Sequence, residues 1–167
     1  MVKPTSICVV LSIAISRGWY LRQLDVNNAF LQGNLFETVY MSQPQGFIDK
    51  DHSTHVCKLR KAIYGLERAP RAWYQRLCHF ILLLASGFTI SHVNSSLFVY
   101  NVVGHIIYLL VDVDDIILTS NTTAIVNQFV TTLAHHFSLK DLGLLTYFLG
   151  VKVVSNKNGV TFSTAIY

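Results

Sequence analysis

The stretch that decides the fold is GHIIYLLVDVDDIILTSN, residues 104–121. Its first half is an apolar run that ends in carboxylates, and its second half is apolar again from Ile116. Two buried strands joined by an acidic hairpin is the simplest interpretation of this pattern. Burying a lone carboxylate is costly unless it gains a partner or a proton. The three acids, Asp112, Asp114 and Asp115, therefore need water, cations or basic partners, and the hairpin becomes the first candidate for a functional site.

The hairpin acids have the composition of a metal site. Strand alternation predicts that Asp112 and Asp114 share one face, while Asp115 begins the turn into the return strand. Oxygen ligands suit Mg2+ or Mn2+, and two such ions about 3.5–4 Å apart are the usual apparatus of nucleotidyl transfer. A further carboxylate could come from Asp25, where the alternating segment 20–26 ends. Taken alone, either segment is equally well explained as a solvated acidic turn.

Four blocks together carry a family resemblance: LDVNNAFLQGNLFETVYMSQPQGF, VCKLRKAIYGLERAPRAWY, LLVDVDDIILTS and KDLGLLTYFLGVKV. In this order, from about residue 3 to residue 167, they resemble the reverse transcriptase of copia-type LTR retrotransposons. The resemblance implies that Asp25, Asp114 and Asp115 are the three catalytic acids and metal ligands of a polymerase palm. It also implies that Phe30 lies under the incoming sugar and excludes a 2′-hydroxyl, although ordinary core packing would explain Phe30 too.

Other blocks imply contacts with substrates. Tyr64 and Gly65 match the family's turn beneath the nucleotide, where a residue without a β-carbon permits close approach. The block TYFLGVKV resembles the hairpin that grips the primer strand, which assigns Gly150 to close approach and Lys152 to a phosphate. These residues are expected to bind substrate rather than to react.

Basic residues cluster in one part of the chain. Seven of the thirteen lie between Lys50 and Arg76, which is typical of a polyanion-binding surface. We assign nucleic-acid contacts to Arg68 and Arg71 of this tract. A solvated basic face remains the alternative.

The implied chemistry needs no protein base, because two divalent ions activate the 3′-hydroxyl and neutralise the triphosphate. Asp25 and Asp114 are expected to bridge the ions, Mg2+ or Mn2+, and Asp115 to hold or tune them more weakly. The expected partners are an RNA or DNA template with a DNA primer, deoxynucleotide triphosphates and the rest of the polyprotein, including fingers, thumb and RNase H.

One departure from the family pattern bears on activity. The family has an aromatic residue, usually Tyr, before Val-Asp-Asp, whereas this chain has Asp112. Two hypotheses follow: a polymerase palm that is inactive as the isolated chain and needs fingers and thumb, or a dead transposon remnant that keeps the fold and weak nucleic-acid binding. An unrelated RNA-binding module of the RRM type is disfavoured, because its aromatic signature is absent.

Length and composition predict one domain with a sizeable core, residues 1–167. The resemblance implies that this is a partial reverse transcriptase domain with fingers and thumb largely missing. Hydrophobic residues make up 51% and charged residues 13%, so either much of this surface is normally covered or, as we favour, the chain is part of something larger. Neither a membrane span nor a signal peptide is predicted. The cluster of His52, His55 and Cys57 supplies at most three ligands, which argues against structural zinc.

Helix caps, turn residues and apolar periodicity predict an α+β fold in which an antiparallel sheet carries two main helices on one face. The resemblance implies the same architecture, that of a polymerase palm. The predicted helices are 4–16, 70–84 and 122–137. The predicted strands are 20–26, 38–42, 56–59, 96–101, 105–112, 115–119, 145–154 and 160–163, with Asn158-Gly159 as the last turn.

Overall fold

The computed structural model describes residues 3–84, 87–148, 151–156 and 159–164. The chain forms two compact units, one of Met1–Asn27 with Leu82–Tyr167 and one of Asn28–Ile81. The helices of the described residues are α1 (Pro4–Ser16), α2 (Ala29–Gln32), α3 (Ala69–Leu84) and α4 (Thr123–His136). The strands are β1 (Leu21–Val26), β2 (Asn34–Ser42), β3 (Val56–Lys61), β4 (Phe88–Ile90), β5 (Leu97–Val102), β6 (His105–Asp112), β7 (Asp115–Ser120), β8 (Leu139–Leu144), β9 (Tyr147–Phe148), β10 (Val151–Asn156) and β11 (Gly159–Thr164).

A six-stranded sheet is the framework of the first unit. Its strand order is β4-β5-β6-β7-β1-β8, and neighbouring strands are antiparallel. The stretch that decides the fold supplies β6 and β7 at its centre, where both faces of β7 are buried. The predicted α+β class with an antiparallel sheet is thereby confirmed.

Helix α1 covers one face of this sheet. Cross-strand partners Leu110 and Ile117 lie in a buried core with Ile7, Leu11 and Ala14 of the helix. Pro4 stands in the first turn, where its missing N–H costs nothing, and Gly18 takes φ +63° just after the helix. The predicted fold has its two main helices on one face only, so it does not include this arrangement.

Helix α4 packs on the opposite face. The ring of Phe129 lies 5.1 Å from that of Phe88, and Phe88 pairs across the sheet with Tyr100. Tyr100 in turn pairs with Ile107, whose side chain points away from the α1 face by strand alternation. Helical spacing predicts a buried stripe that begins at Ile125. Ile125 is half-buried, and the rest of the stripe is buried: Val126, Phe129, Val130 and Leu133.

The end of the chain differs from its prediction. An unpredicted strand, β8, comes first, and β9 and β10 then replace the single strand predicted over 145–154. Strand β10 pairs with β11 in a separate three-stranded sheet. The strand path breaks because Gly143 takes φ +78°, after which the Leu145 amide bonds to the Leu21 carbonyl. The hairpin with β11 agrees with prediction, although Asn158 of the predicted turn lies outside the described residues.

The second unit is built on a two-stranded ribbon, β2 and β3, together with α2 and most of α3. Helix α3 buries Trp73 and Leu77, as its helical spacing predicts. None of the helices in the described residues has the length and hydropathy that a bilayer crossing requires.

Candidate active site

Three carboxylates of the first unit form a row across neighbouring strands. Asp115 of β7 pairs with Asp112 of β6 on one side and with Asp25 of β1 on the other. Residues directly opposite each other in an antiparallel sheet share a face, with Cβ atoms about 4.5–5.5 Å apart. All three are half-buried. The fold thus brings Asp25 to the acidic hairpin from more than eighty residues away in sequence.

Asp114 reaches the same place by a different route. It occupies the second position of a two-residue loop whose first position, Val113, takes φ +54°. The Val26 amide donates to the Asp114 carbonyl at 2.8 Å, which ties the tip of the hairpin to the end of β1. The prediction that Asp112 and Asp114 share a strand face is wrong, because the loop interrupts the pleat and Asp112 lies opposite Asp115 instead.

Burial and like charge act together on Asp115. Desolvation, chiefly, raises the pKa of the Asp115 carboxyl above its usual range, and the charges of Asp114, Asp25 and Asp112 raise it further. Gln23 opposes this shift by donating from Nε2 to Asp115 Oδ1 at 3.3 Å. Gln23 was not predicted as a site residue, although its position two residues before Asp25 places its polar side chain on the face of the acids.

A cation extends the row of acids. Lys140 of the edge strand β8 is the strand partner of Asp25. Lys140 was not predicted as a site residue, because no periodicity marks residues 139–144 and no strand was predicted there. The described site therefore contains three acids and one nearby lysine on four adjacent strands, and a fourth acid, Asp114, in the β6–β7 loop.

The edge strand that carries Lys140 is held by Arg22. The Arg22 guanidinium donates to both carboxylate oxygens of Asp141, and through Nη1 to Asn127 Oδ1 of α4 at 2.5 Å. The hydrogen bond raises the pKa of Arg22 and lowers that of Asp141, whose carboxylate also accepts from the Gly143 amide. This network joins β1, β8 and α4 on the face opposite the acids.

The residues assigned to the nucleotide lie in the second unit. Phe30 is buried, and its ring meets that of Tyr64 edge-on with 4.3 Å between centroids. Tyr64 itself is exposed. Gly65 takes φ +89°, and a β-carbon there would meet no atom within 4 Å, so its backbone conformation requires glycine and the space above it is open. The assignment of these three residues to nucleotide binding stays a prediction.

The residues assigned to nucleic acid fall in different places. Arg68 and Arg71 line a cleft of about 440 Å³ in the second unit, where Arg68 forms an ion pair with Glu37. Lys152 is exposed on β10 of the first unit, and Gly150 lies outside the described residues. Arg68 therefore already has a partner that a phosphate would have to displace.

Comparisons with known proteins identify the family. The family model described as reverse transcriptase (RNA-dependent DNA polymerase) matches residues 1–167. The chain belongs to the reverse transcriptase family. Its resemblance to copia-type retrotransposon enzymes is confirmed by curated relatives from transposons, and no solved structure matches the chain significantly.

Three relatives of this chain are retrovirus-related Pol polyproteins. The chain is 49% identical over 167 residues to the retrovirus-related Pol polyproteins from transposons RE1 and RE2 of Arabidopsis thaliana, covering all of this chain and 11% of each relative. It is 38% identical over 159 residues to the Pol polyprotein from transposon TNT 1-94 of Nicotiana tabacum, covering 94% of this chain and 12% of that protein. The chain thus spans about a tenth of the length of these relatives.

Membership of the reverse transcriptase family implies a general dependence on divalent metal ions, and the acid row has the right donors. Its ligands are carboxylate oxygens, which hard divalent cations prefer. Burial chiefly raises the pKa of Asp115, and the neighbouring carboxylates, whose charge a cation would offset, raise it further. Within the described ranges, no three His, Cys, Asp or Glu residues have a geometry that could hold a metal ion. Binding through Asp25, Asp114 and Asp115 would therefore require their side chains to draw together.

Proposed function

We propose that this chain supplies the palm of a retrotransposon reverse transcriptase and carries out nucleotidyl transfer to a DNA primer with two divalent cations, Mg2+ or Mn2+. The observation that carries the proposal is the placement of Asp25, Asp114 and Asp115 together by β1 and the β6–β7 hairpin. Two cations, when bound, activate the 3′-hydroxyl and neutralise the charge on the triphosphate.

Each acid has a distinct role in this proposal. Asp25 and Asp114 would hold the cations. The Val26–Asp114 backbone hydrogen bond keeps the hairpin tip beside the end of β1, where Asp25 lies. Asp115 is oriented by Gln23 and tunes the charge of the site. Phosphoryl transfer depends mainly on positioning and electrostatics. The contribution of the protein is therefore that these strands hold the acids in fixed positions.

The substrates follow from the same assignment. In this proposal, residues 1–167 are one partial reverse transcriptase domain. This domain acts with the rest of a Pol polyprotein, including fingers, thumb and RNase H. Deoxynucleotide triphosphates lie against the turn of Tyr64 and Gly65 and the ring of Phe30, which excludes a 2′-hydroxyl. An RNA or DNA template with its DNA primer contacts Arg68, Arg71, Gly150 and Lys152. Because these contacts are a small share of those that a primer–template needs, we expect no measurable extension by the isolated chain.

A second candidate is a remnant without turnover that keeps the fold and weak nucleic-acid binding. One observation favours it: Asp112 stands directly opposite Asp115, so a fourth carboxylate joins the site. Its charge would repel the anionic primer end of the proposed substrate. Like charges directly opposite each other also destabilise the sheet.

Primer extension in a chimaeric polyprotein tests the proposal. The 167 residues replace the matching segment of the RE1 polyprotein, and extension of a DNA primer on an RNA template is measured with Mg2+ and with Mn2+. We expect incorporation that falls at least a hundredfold with Asp114→Asn or Asp25→Asn and is unchanged by Asp51→Asn, an exposed carboxylate of the second unit. Incorporation that survives Asp114→Asn would refute the assignment. No incorporation even after Asp112→Tyr would favour the remnant.

A further inference from the structure

The ribbon of the second unit has two unlike faces. Strand alternation directs Val39, Met41, Cys57 and Leu59 to one face, where all four are half-buried. The other face carries exposed side chains throughout. We call it the ribbon face, and its residues are Thr38, Tyr40, Ser42, Val56, Lys58 and Arg60.

An aromatic ring and two cations stand together on the ribbon face. Tyr40 is the direct cross-strand partner of Lys58, and the Tyr40 side chain is 59% exposed. Arg60 lies two residues further along the same strand and so on the same face, about 7 Å away at the usual rise. Among the described residues neither Lys58 nor Arg60 forms an ion pair, whereas Arg68 of the same basic tract is held by Glu37.

We propose that the ribbon face is a binding site for single-stranded nucleic acid, with a base stacked on Tyr40 and the backbone phosphates held by Lys58 and Arg60. Sequence-tolerant binding of single strands combines cationic side chains with an exposed aromatic platform. Charge complementarity selects a polyanion, because none of the six residues of this face is acidic. The flat, exposed ring selects an unstacked base over a duplex, whose bases are covered by their neighbours.

This inference rests on the proposed function, since a polymerase must hold a single-stranded template, yet it concerns a surface separate from the acid row. Binding at the ribbon face needs no divalent cation and no catalytic acid. The two proposals can therefore fail independently: loss of polymerisation in Asp114→Asn tests the acids, and retention of single-strand binding in that variant tests the ribbon.

Fluorescence anisotropy of the 167-residue chain with labelled 12-nucleotide oligo(rU) and oligo(dT), in EDTA, tests the site. We expect Tyr40→Ala to weaken binding about tenfold or more, and Tyr40→Phe, which keeps the ring, to bind nearly as the unsubstituted chain does. The double variant Lys58→Gln/Arg60→Gln should weaken binding and reduce the slope of log affinity against log salt by about 1.4. A duplex of the same length should bind more weakly and be insensitive to Tyr40→Ala.

Matched controls come from the other unit. Tyr20, 68% exposed, and the exposed Arg17 offer an aromatic and a cation outside the ribbon face, so Tyr20→Ala and Arg17→Gln should leave affinity unchanged. Circular dichroism confirms that each variant is folded. Equal affinity of Tyr40→Ala and the unsubstituted chain, equal loss in Tyr20→Ala, or no measurable single-strand binding would each overturn the inference.

Discussion

Asp112 is the residue whose chemistry is least expected at the proposed polymerase site. It stands opposite Asp115 on the neighbouring strand. Burial chiefly raises the pKa of Asp115, and the charge of Asp112 raises it further together with those of Asp114 and Asp25. The family's aromatic at this position would instead present an apolar surface to the primer end. In the proposed site, Asp112 therefore acts on Asp115 across the strand pair, not on Asp114 along a shared strand face as alternation predicts.

Replacing Asp112 in the chimaeric polyprotein measures this effect. We expect Asp112→Tyr to raise steady-state primer extension at least about tenfold, which corresponds to ~1.4 kcal/mol in the barrier. Asp112→Asn separates the two contributions, because it removes charge without restoring the ring. Equal rates for all three sequences would show that the carboxylate is tolerated.

The raised pKa of Asp115 gives a pH-dependent stability. A carboxyl whose pKa is higher in the folded state than in the unfolded state binds more protons when folded, so stability falls as pH rises from the unfolded value of about 4 through the raised folded value. We expect Asp115→Asn to stabilise the chain by about 1 kcal/mol at pH 7, in chemical denaturation without divalent ions. This gain should vanish below about pH 4; a gain that is constant with pH would contradict the electrostatic account.

At the scale of elements, two hairpins of the central sheet offer a matched comparison. Val113 and Val103 both take positive φ, 54° and 51°, each in the loop of a two-residue hairpin. A β-branched residue in this region is strained by roughly 1–2 kcal/mol, and glycine relieves that strain. Strain of this kind recurs where a fold must hold functional groups in place.

Glycine substitutions at the two turns should therefore have the same effect on stability but different effects on primer extension. We expect Val113→Gly and Val103→Gly each to stabilise the chain by about 1 kcal/mol, since glycine's greater unfolded-state entropy offsets part of the relief. Only Val113→Gly should lower primer extension in the chimaera, because it loosens the loop that positions Asp114. An unchanged rate in Val113→Gly would mean that the turn does not position the acid.

Elements with strong periodicity could be predicted from the sequence, and those set by long-range pairing could not. Helices α1 and α4 and strands β6 and β7 lie within one or two residues of prediction, because their apolar patterns and caps are local. Strand β8 has five exposed residues out of six and exists because β1 offers it an edge. Its Lys140 could therefore not be assigned to the acid row.

At the scale of the whole molecule, the pairing of Asp25 with the acidic hairpin was predicted by chemistry and family resemblance, and strand register supplies its geometry. Sequence alone did not indicate that residues 28–81 form a compact unit of their own, because no linker or change of composition marks its ends. The ribbon face could not be predicted either, because Tyr40 and Lys58 are brought opposite each other only by strand pairing.

The central claim is that β1 and the β6–β7 hairpin together hold a divalent cation. Electron paramagnetic resonance of Mn2+ titrated into the 167-residue chain tests this directly, with Mg2+ as competitor. We expect binding that is weakened at least tenfold by Asp25→Asn and by Asp114→Asn, and that is unchanged by Asp51→Asn. Mn2+ binding that is lost in Asp114→Asn but intact in Asp25→Asn would contradict the account, because the hairpin would then bind metal without β1.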